Sequence, residues 1–342
     1  MAFGPLDFAL QWTSAVTTTL TFNSQTLPFR KDFAIAGANC LLSTNSPEVL
    51  QATVRSQTES ASGNAFSFEM EVIVRADMDA TPERLPHFRG LRHIVFANLP
   101  PCSFLTYDLL RKRVYAVLSS SAARDPSFWH TLLLPITIGV LGTTIGIAPL
   151  HSACLDRNGS GILVAGLSGV GKSTLATALA QAGFALISDD WTYLSRQQSA
   201  LLAHGLSSPV KLLPDAARFF PQLRSLIPKP ALNGELAYEI DPKQWKGFTV
   251  KTTTVPRHIF FLERASTPGC HVIPSRPEYL RDFFEKSGER LPNEIAEART
   301  FRTELIGTLS NCPSWILRTG DNPQITAEVL SDFLAENNRA TA

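Results

Sequence analysis

The sequence has no block of positive charge and no cysteine pairs at metal-binding spacing. Its 31 lysines and arginines nearly balance its 30 aspartates and glutamates, so the net charge of the 342 residues is +1. A surface that neutralises nucleic-acid phosphates is therefore not expected. The five cysteines are odd in number and lack any C-x-x-C spacing, which argues against a zinc site and a disulfide framework. They are predicted to be buried free thiols: Cys40, Cys102, Cys154, Cys270 and Cys312.

Charge is also missing from residues 126–155, which contain no aspartate, glutamate, lysine or arginine. Within them, residues 131–150 are apolar enough to raise the question of a membrane span. Prolines and glycines interrupt this run, which favours a buried helix followed by a turn and a strand: Pro135, Gly139, Gly142, Gly146 and Pro149. A secretory signal has a basic segment ahead of an apolar core, and the N-terminus lacks this pattern. We therefore expect a cytoplasmic protein without a membrane span.

Strand patterns dominate the first third of the chain. Apolar and polar residues alternate from Phe66 to Val74, and one short helix is predicted over residues 46–57. Further strands are predicted at 15–22, 33–42, 94–97, 104–107 and 114–118. The small, polar run at residues 119–126 marks a composition shift, where we place a domain boundary. The prediction is a strand-rich α+β domain over residues 1–125 and a second domain over residues 126–342.

The second domain is predicted to alternate strands and helices. Strands are expected at 184–188, 256–262 and 315–317, and helices at 278–286, 294–309 and 323–334.

The most informative segment is a glycine-rich turn between a short apolar run and a helical pattern, at residues 161–180. Positions 166 to 173 read Gly-Leu-Ser-Gly-Val-Gly-Lys-Ser, the G-x-x-x-x-G-K-[ST] spacing of a P-loop (Walker A motif). Glycines let successive backbone N–H groups turn toward a phosphate, and the following helix adds its positive dipole end. Lys172 can reach the β- and γ-phosphates, and the Ser173 hydroxyl suits Mg²⁺.

This segment therefore predicts ATP and Mg²⁺ as cofactors. A glycine-rich turn that binds no ligand is the alternative, but strand, turn, Lys-Ser pair and helix all favour phosphate binding. The buried face of the helix is predicted to contain Leu175, Ala178, Leu179 and Ala182. We call residues 166–171 the glycine loop. The predicted cofactor-binding residues are Gly166, Ser168, Gly169, Val170, Gly171, Lys172, Ser173 and Thr174.

Two adjacent carboxylates, Asp189 and Asp190, end the strand that follows this helix. We expect that strand to lie beside the strand that leads into the glycine loop. Neighbouring residues of an extended chain point to opposite sides, so one carboxylate can face a metal and the other an incoming nucleophile. Phosphoryl transfer needs both a group that binds the metal and a group that orients the nucleophile. An Asx turn or a helix cap is the structural alternative for such a pair.

One histidine, His151, stands at the end of the apolar segment and begins a predicted strand, residues 150–155. We expect this strand to run alongside the loop strand. Taken alone, such a histidine is more often a hydrogen-bonded core residue than a catalytic one.

Three segments resemble, in order and spacing, the catalytic core of HPr kinase/phosphorylase and the wider group of HPr-kinase-like serine kinases: Leu150-His151, residues 161–175 and residues 183–190. That family reads Leu-His-Gly, a strand, Gly-x-Ser-Gly-x-Gly-Lys-Ser, a helix, and then Val-Ala-Asp-Asp. The resemblance implies an α/β fold (α+β mixed) in which a phosphoenolpyruvate-carboxykinase-like P-loop kinase core follows a smaller, strand-rich N-terminal domain.

The resemblance also implies a role for each matching residue. Asp189 would be the base that takes the proton from a serine hydroxyl, with His151 supporting it. Lys172 would join these two as a catalytic residue, while Ser173 and Asp190 would serve the Mg²⁺. The implied activity is that of an ATP-dependent kinase whose partner is a small protein or peptide with an acceptor serine.

Two other functions stay open on the residues alone. A small-metabolite kinase can also place an acidic residue at the end of the strand after the loop helix. A non-catalytic nucleotide sensor would instead use its strand-rich first domain to bind a partner. A homo-oligomer is compatible with either.

Overall fold

The computed structural model describes residues 27–53, 65–77, 79–81, 86–197, 200–206, 208–230, 235–265, 269–286 and 295–340. The fold is mixed α/β, as predicted, with several sheets and helices. The chain divides into two compact units: the described residues up to Pro149 form the first together with residues 295–302, and the other described residues from Leu150 onward form the second. The predicted strand at 15–22 lies outside the described residues.

The first unit contains a seven-stranded sheet in the order β1-β2-β3-β7-β6-β5-β4. Strand β3 pairs in parallel with β2 and β7, and the other neighbours are antiparallel. The predicted alternation holds in β3, where Phe68, Met70 and Val72 are buried. The strands are β1 Phe29–Ile35, β2 Ala38–Thr44, β3 Phe68–Arg75, β4 His87–Leu91, β5 Ile94–Leu99, β6 Ser103–Asp108 and β7 Arg113–Ser119.

Two local predictions in this unit need correction. The apolar run 33–42 is two strands of a hairpin, because Ala36 and Gly37 both have positive φ and reverse the chain. The helix predicted from residue 46 is α1, Pro47–Ala52, and the chain leaves the helix at Thr53. Residues 54–57 of that prediction lie outside the described ranges.

The charge-free segment is helical from Pro126 to Ile145. It follows the short helix α2, Ser120–Arg124, and consists of α3 Pro126–Phe128, a π-helical turn Trp129–Leu133, α4 Leu134–Leu141 and a 3-10 turn Gly142–Ile145. Among the described residues it is the one helix long and apolar enough to cross a membrane, but 67% of its apolar window is buried inside the protein. Gly146, at φ +86°, then turns the chain into a strand, as predicted.

This helical segment clusters with the first unit, whereas the sequence places the boundary at residues 119–126. The boundary drawn from composition lies before the buried helices, and the boundary drawn from contacts lies after them. A composition shift marks where polar residues give way to apolar ones, and contacts mark where a core ends.

The second unit contains a large mixed sheet whose main path is β17-β12-β11-β8-β9-β18-β20-β19. Strands β9, β18 and β20 are parallel neighbours. A smaller sheet has the order β13-β15-β14. The strands are β8 Ile147–Arg157, β9 Ser160–Ala165, β10 Ala185–Ser188, β11 Trp191–Gln197, β12 Ala200–His204, β13 Val210–Leu212, β14 Lys229–Pro230, β15 Leu236–Ile240, β16 Thr249–Val250, β17 Thr253–Thr254, β18 Pro256–Arg264, β19 Cys270–Pro274 and β20 Ser314–Thr319.

Four further helices follow the predicted pattern closely. They are α5 Lys172–Gln181, α6 Pro277–Lys286, α7 Ala296–Leu309 and α8 Pro323–Ala340. Helix α5 buries Leu175, Ala178 and Leu179 in one apolar core with Val164 of β9 and Phe260 of β18. Ala182 lies beyond the helix and is exposed, so the predicted buried face ends one turn earlier.

Strand β8 is the centre of the arrangement around the glycine loop. It pairs antiparallel with β9, as predicted for the strand that contains His151. Its other side pairs with β10, the strand that precedes the two carboxylates. The prediction that β10 lies directly beside the loop strand is therefore wrong, because β8 separates the two. From the end of β9, helix α5 takes the chain past β8 to β10, which lies on the other side of β8.

A buried carboxylate fastens β8 to the segment before β18. Asp156 is 2% exposed and accepts hydrogen bonds from Lys251 Nζ, from Thr254 Oγ1 at 2.6 Å and from Gly159 N at 3.2 Å. Burial acts to raise the pKa of Asp156, but the bonds from Lys251 and Thr254 outweigh it and hold the pKa below its usual value. The carboxylate therefore stabilises the folded state in its charged form.

We expect Asp156→Asn to lower the free energy of unfolding at pH 7 by about 1–3 kcal/mol, because a charge-assisted network loses its acceptor. The folded-state pKa is depressed, so this contribution is present above the unfolded-state pKa, about 3.9, and is lost as the pH falls through the folded-state value. Urea unfolding at pH 7 and in acid should show the difference between wild type and variant shrinking. The exposed Asp321→Asn is the control. An unchanged difference in acid would contradict the assignment.

Candidate active site

The glycine loop joins the carboxyl end of β9 to the first turn of α5. Gly169 and Gly171 have φ of +76° and +110°, which residues with a side chain rarely adopt. Gly166 is needed for a different reason: a Cβ there would stand 2.9 Å from Val170 Cγ1 and 3.0 Å from the Leu262 carbonyl. The loop thus keeps its shape through two left-handed residues and one close approach to β18.

Lys172 folds back along the loop. Its Nζ donates to the carbonyl oxygens of Gly166 at 2.9 Å and Leu167 at 3.3 Å, and the residue is 7% exposed. Burial lowers the pKa of the Lys172 amine, and the charges of Asp189 and Asp190 oppose that shift. The loop lysine and the acidic pair therefore act on one another, as a shared site requires.

The remaining predicted loop residues differ in their exposure. Ser173 and Thr174 are half-buried in the first turn of α5, where the backbone N–H groups lack partners within the helix. Ser168 is exposed, and Val170 packs against the core. This end of the helix suits an anion.

Asp189 lies near the N-terminus of α5, close enough for its charge to act on Lys172. Its Oδ2 accepts a hydrogen bond from the backbone N–H of Lys211 at 3.2 Å, and both this bond and the Ser173 hydroxyl act to lower the pKa of the carboxyl. The other oxygen, Oδ1, is buried and has no hydrogen-bond partner among the described residues. Burial, and then the neighbouring charge of Asp190, raise the pKa of Asp189 to about 6.

Asp190 pairs with the histidine of β8. His151 Nε2 lies 2.9 Å from Asp190 Oδ1, and the imidazole stacks on Trp191 with ring centroids 5.5 Å apart. Burial acts to raise the pKa of Asp190, but the hydrogen bond with His151 helps to hold it below its usual value. The two adjacent carboxylates thus have environments that separate their pKa values.

Buried hydroxyl groups fix the turn that contains the two carboxylates. Thr192 Oγ1 donates to the Ser152 carbonyl at 2.8 Å, and the Ser188 and Thr192 hydroxyls are 2.7 Å apart. Ser152 follows His151 on β8, so the same strand holds both the turn and the imidazole.

The structure brings together all five residues predicted to carry the chemistry: Lys172, Ser173, Asp189, Asp190 and His151. The pairing differs from the one that the resemblance implies. His151 pairs with Asp190, where support for Asp189 was expected. The sequence did not indicate that the Lys211 N–H would bond Asp189 or that Trp191 would stack on His151, because neither a backbone donor nor a stacking ring leaves a motif.

Residues 147–211 match the family model described as the HPr Serine kinase C-terminal domain. This segment is HPr-kinase-like. It contains every candidate site residue, and the match confirms the resemblance over the part of the chain in which its motifs lie.

Among solved structures, the chain is similar to the Hpr(Ser) kinase/phosphatase from Coxiella burnetii. The identity is 14% and the TM-score 0.29, and the alignment covers 56% of this chain and 91% of that one. A likeness at this level carries no functional argument. No curated protein matches the chain.

We expect Gly171→Ala to lower the free energy of unfolding by about 1–3 kcal/mol, the cost of forcing an alanine to positive φ. Nothing lies within 4 Å of a Cβ at this position, so backbone strain alone should produce the loss. The matched control is Gly307→Ala inside α7, where a Cβ also meets nothing and φ is ordinary. That variant should gain about 0.5–1 kcal/mol. Denaturant unfolding measures both, and equal effects would contradict the strained geometry of the loop.

Proposed function

We propose that this protein is an ATP- and Mg²⁺-dependent kinase that transfers a phosphoryl group to a serine hydroxyl of a small protein or peptide. One observation carries the proposal: beside the glycine loop, Asp189 Oδ1 is buried with no hydrogen-bond partner among the described residues, and the charges of Asp189 and Asp190 act on the buried Lys172 amine. A loop lysine beside two carboxylates, one of which has an available oxygen, is the arrangement that a magnesium nucleotide needs.

The donor set fits Mg²⁺ and a triphosphate. Mg²⁺ prefers hard oxygen ligands and usually binds through one or two carboxylates together with substrate phosphates. Ser173 and Asp190 supply such oxygens, and the described ranges contain no cluster of three or more His, Cys, Asp or Glu side chains that could hold a metal by itself. When bound, Mg²⁺ would neutralise charge that develops on the transferring group. The loop N–H groups, with Lys172, would hold the phosphates.

The two carboxylates suit different tasks. Asp189 is the proposed base, because one of its oxygens has no partner and can accept a proton from an incoming hydroxyl. The Lys211 N–H fixes its other oxygen. Asp190 stays charged, and His151 holds it in place. In this proposal His151 positions Asp190, the carboxylate that would bind Mg²⁺, and not the base Asp189.

The serine acceptor rests on the HPr-kinase-like segment, and two alternatives compete with it. A small-metabolite kinase would use the same loop and carboxylates with a polyol acceptor, and a non-catalytic sensor would bind ATP without transfer. A reduced, cytoplasmic setting is part of the proposal, since all five cysteines are free.

We expect Asp189→Asn to reduce phosphoryl transfer about a hundredfold to ten-thousandfold while ATP binding persists, because the variant loses only the proton acceptor. Lys172→Ala should lose both ATP binding and transfer. Transfer is measured with γ-labelled ATP and binding by calorimetry. The exposed Asp215→Asn and Lys243→Ala are matched controls that should behave as wild type. Wild-type transfer by Asp189→Asn would remove the base assignment.

The acceptor class can be decided with the same label. We expect label from γ-labelled ATP to enter a protein fraction on serine, and not a pool of small metabolites. Wild type and Asp189→Asn are compared so that only site-dependent label counts. Label in the metabolite pool would favour the polyol alternative, and tight ATP binding without transfer to either pool would favour the sensor.

A further inference from the structure

A cavity lies at the opposite end of β9 from the glycine loop. Its volume is about 730 Å³. The amino ends of three parallel strands border it, through Ser160 of β9, Arg257 and His258 of β18, and Trp315 of β20. Helix α8 and the turn between β8 and β9 complete the wall. Because β9 has six residues, about 17 Å of strand separates this cavity from the loop.

The lining is positively charged. It includes two arginines and a histidine, and none of its residues is an aspartate or a glutamate: Arg157, Asn158, Gly159, Ser160, Ile162, Arg257, His258, Pro313, Trp315, Ser331, Leu334, Ala335 and Asn337. Within the described part of the chain, neither arginine forms an ion pair. Two guanidinium groups without a carboxylate partner favour binding of an anion.

Three of the residues that line this cavity each have a side-chain nitrogen that is buried without a hydrogen-bond partner among the described residues. These nitrogens are Arg157 Nη1, His258 Nδ1 and Trp315 Nε1. Arg157 stacks its guanidinium over the Phe184 ring at 4.9 Å, and Trp315 packs edge-on against Phe333 at 4.8 Å, so packing holds both side chains in place. Buried polar groups are normally paired, and three unpaired ones at one cavity indicate a ligand that pairs them.

We propose that this cavity binds a small organic anion whose phosphate or carboxylate group is held by Arg157, Arg257 and the Trp315 N–H. The volume suits a molecule of metabolite size. Ile162, Leu334 and Ala335 supply an apolar wall for its body. Ser160 and Ser331 add hydroxyl groups that can bond either head group.

The test uses three probes with one apolar body: phenyl phosphate, benzoate and the neutral benzyl alcohol. Calorimetric titration of the full-length chain should show one-to-one binding of at least one anion and none of the alcohol. Arg257→Met and Arg157→Met should each weaken that binding about tenfold or more, since each removes a charged hydrogen-bond donor. The preferred anion identifies the head group.

Two controls separate this site from the glycine loop and from general charge. Lys172→Ala should leave the arginine-dependent binding unchanged, and so should Arg264→Met, at the far end of β18. Arg257 is exposed, so its variant should fold even if Arg157→Met does not, and circular dichroism checks both. No binding of either anion at millimolar concentration, equal binding of the alcohol, or binding that survives both arginine changes would overturn the proposal. Because the readout is binding, the result does not depend on kinase activity.

Discussion

The hydrogen bond from the Thr192 hydroxyl to the Ser152 carbonyl determines where the acidic pair lies. Both residues are fully buried, so the bond has no competition from water. It ties the turn after β10 to β8, and β8 in turn pairs with the strand that leads into the glycine loop. The loop and the carboxylates come from separate strands and meet because β8 holds both.

The sequence predicted the parts of this site better than their connections. The glycine spacing, the Lys-Ser pair and the periodic apolar residues of α5 are local signals, and the structure has each where expected except Ala182, which lies beyond the helix. The position of β10 was not, because the order of strands in a sheet depends on long-range pairing that a local pattern does not record. The pairing of His151 with Asp190 has the same origin: adjacent Asp189 and Asp190 look equivalent until burial and neighbours distinguish them.

The domain boundary is a further place where composition and contacts differ. Residues 119–126 look like a linker, yet the apolar helices that follow cluster with the first unit. The cavity at the amino end of β9 has no sequence motif. Arg157, Arg257 and Trp315 are far apart in the chain and belong to no motif, and only the parallel alignment of β9, β18 and β20 brings their strand ends to one edge.

The bond between the Lys211 N–H and Asp189 has a spectroscopic consequence. A backbone amide that donates to a carboxylate has a proton resonance that moves when the carboxylate gains a proton or a new ligand. The amide signal of residue 211 therefore reports the electrostatic state of Asp189 from the neighbouring β13, without any change to the residue itself. The protein contains its own probe of that carboxylate.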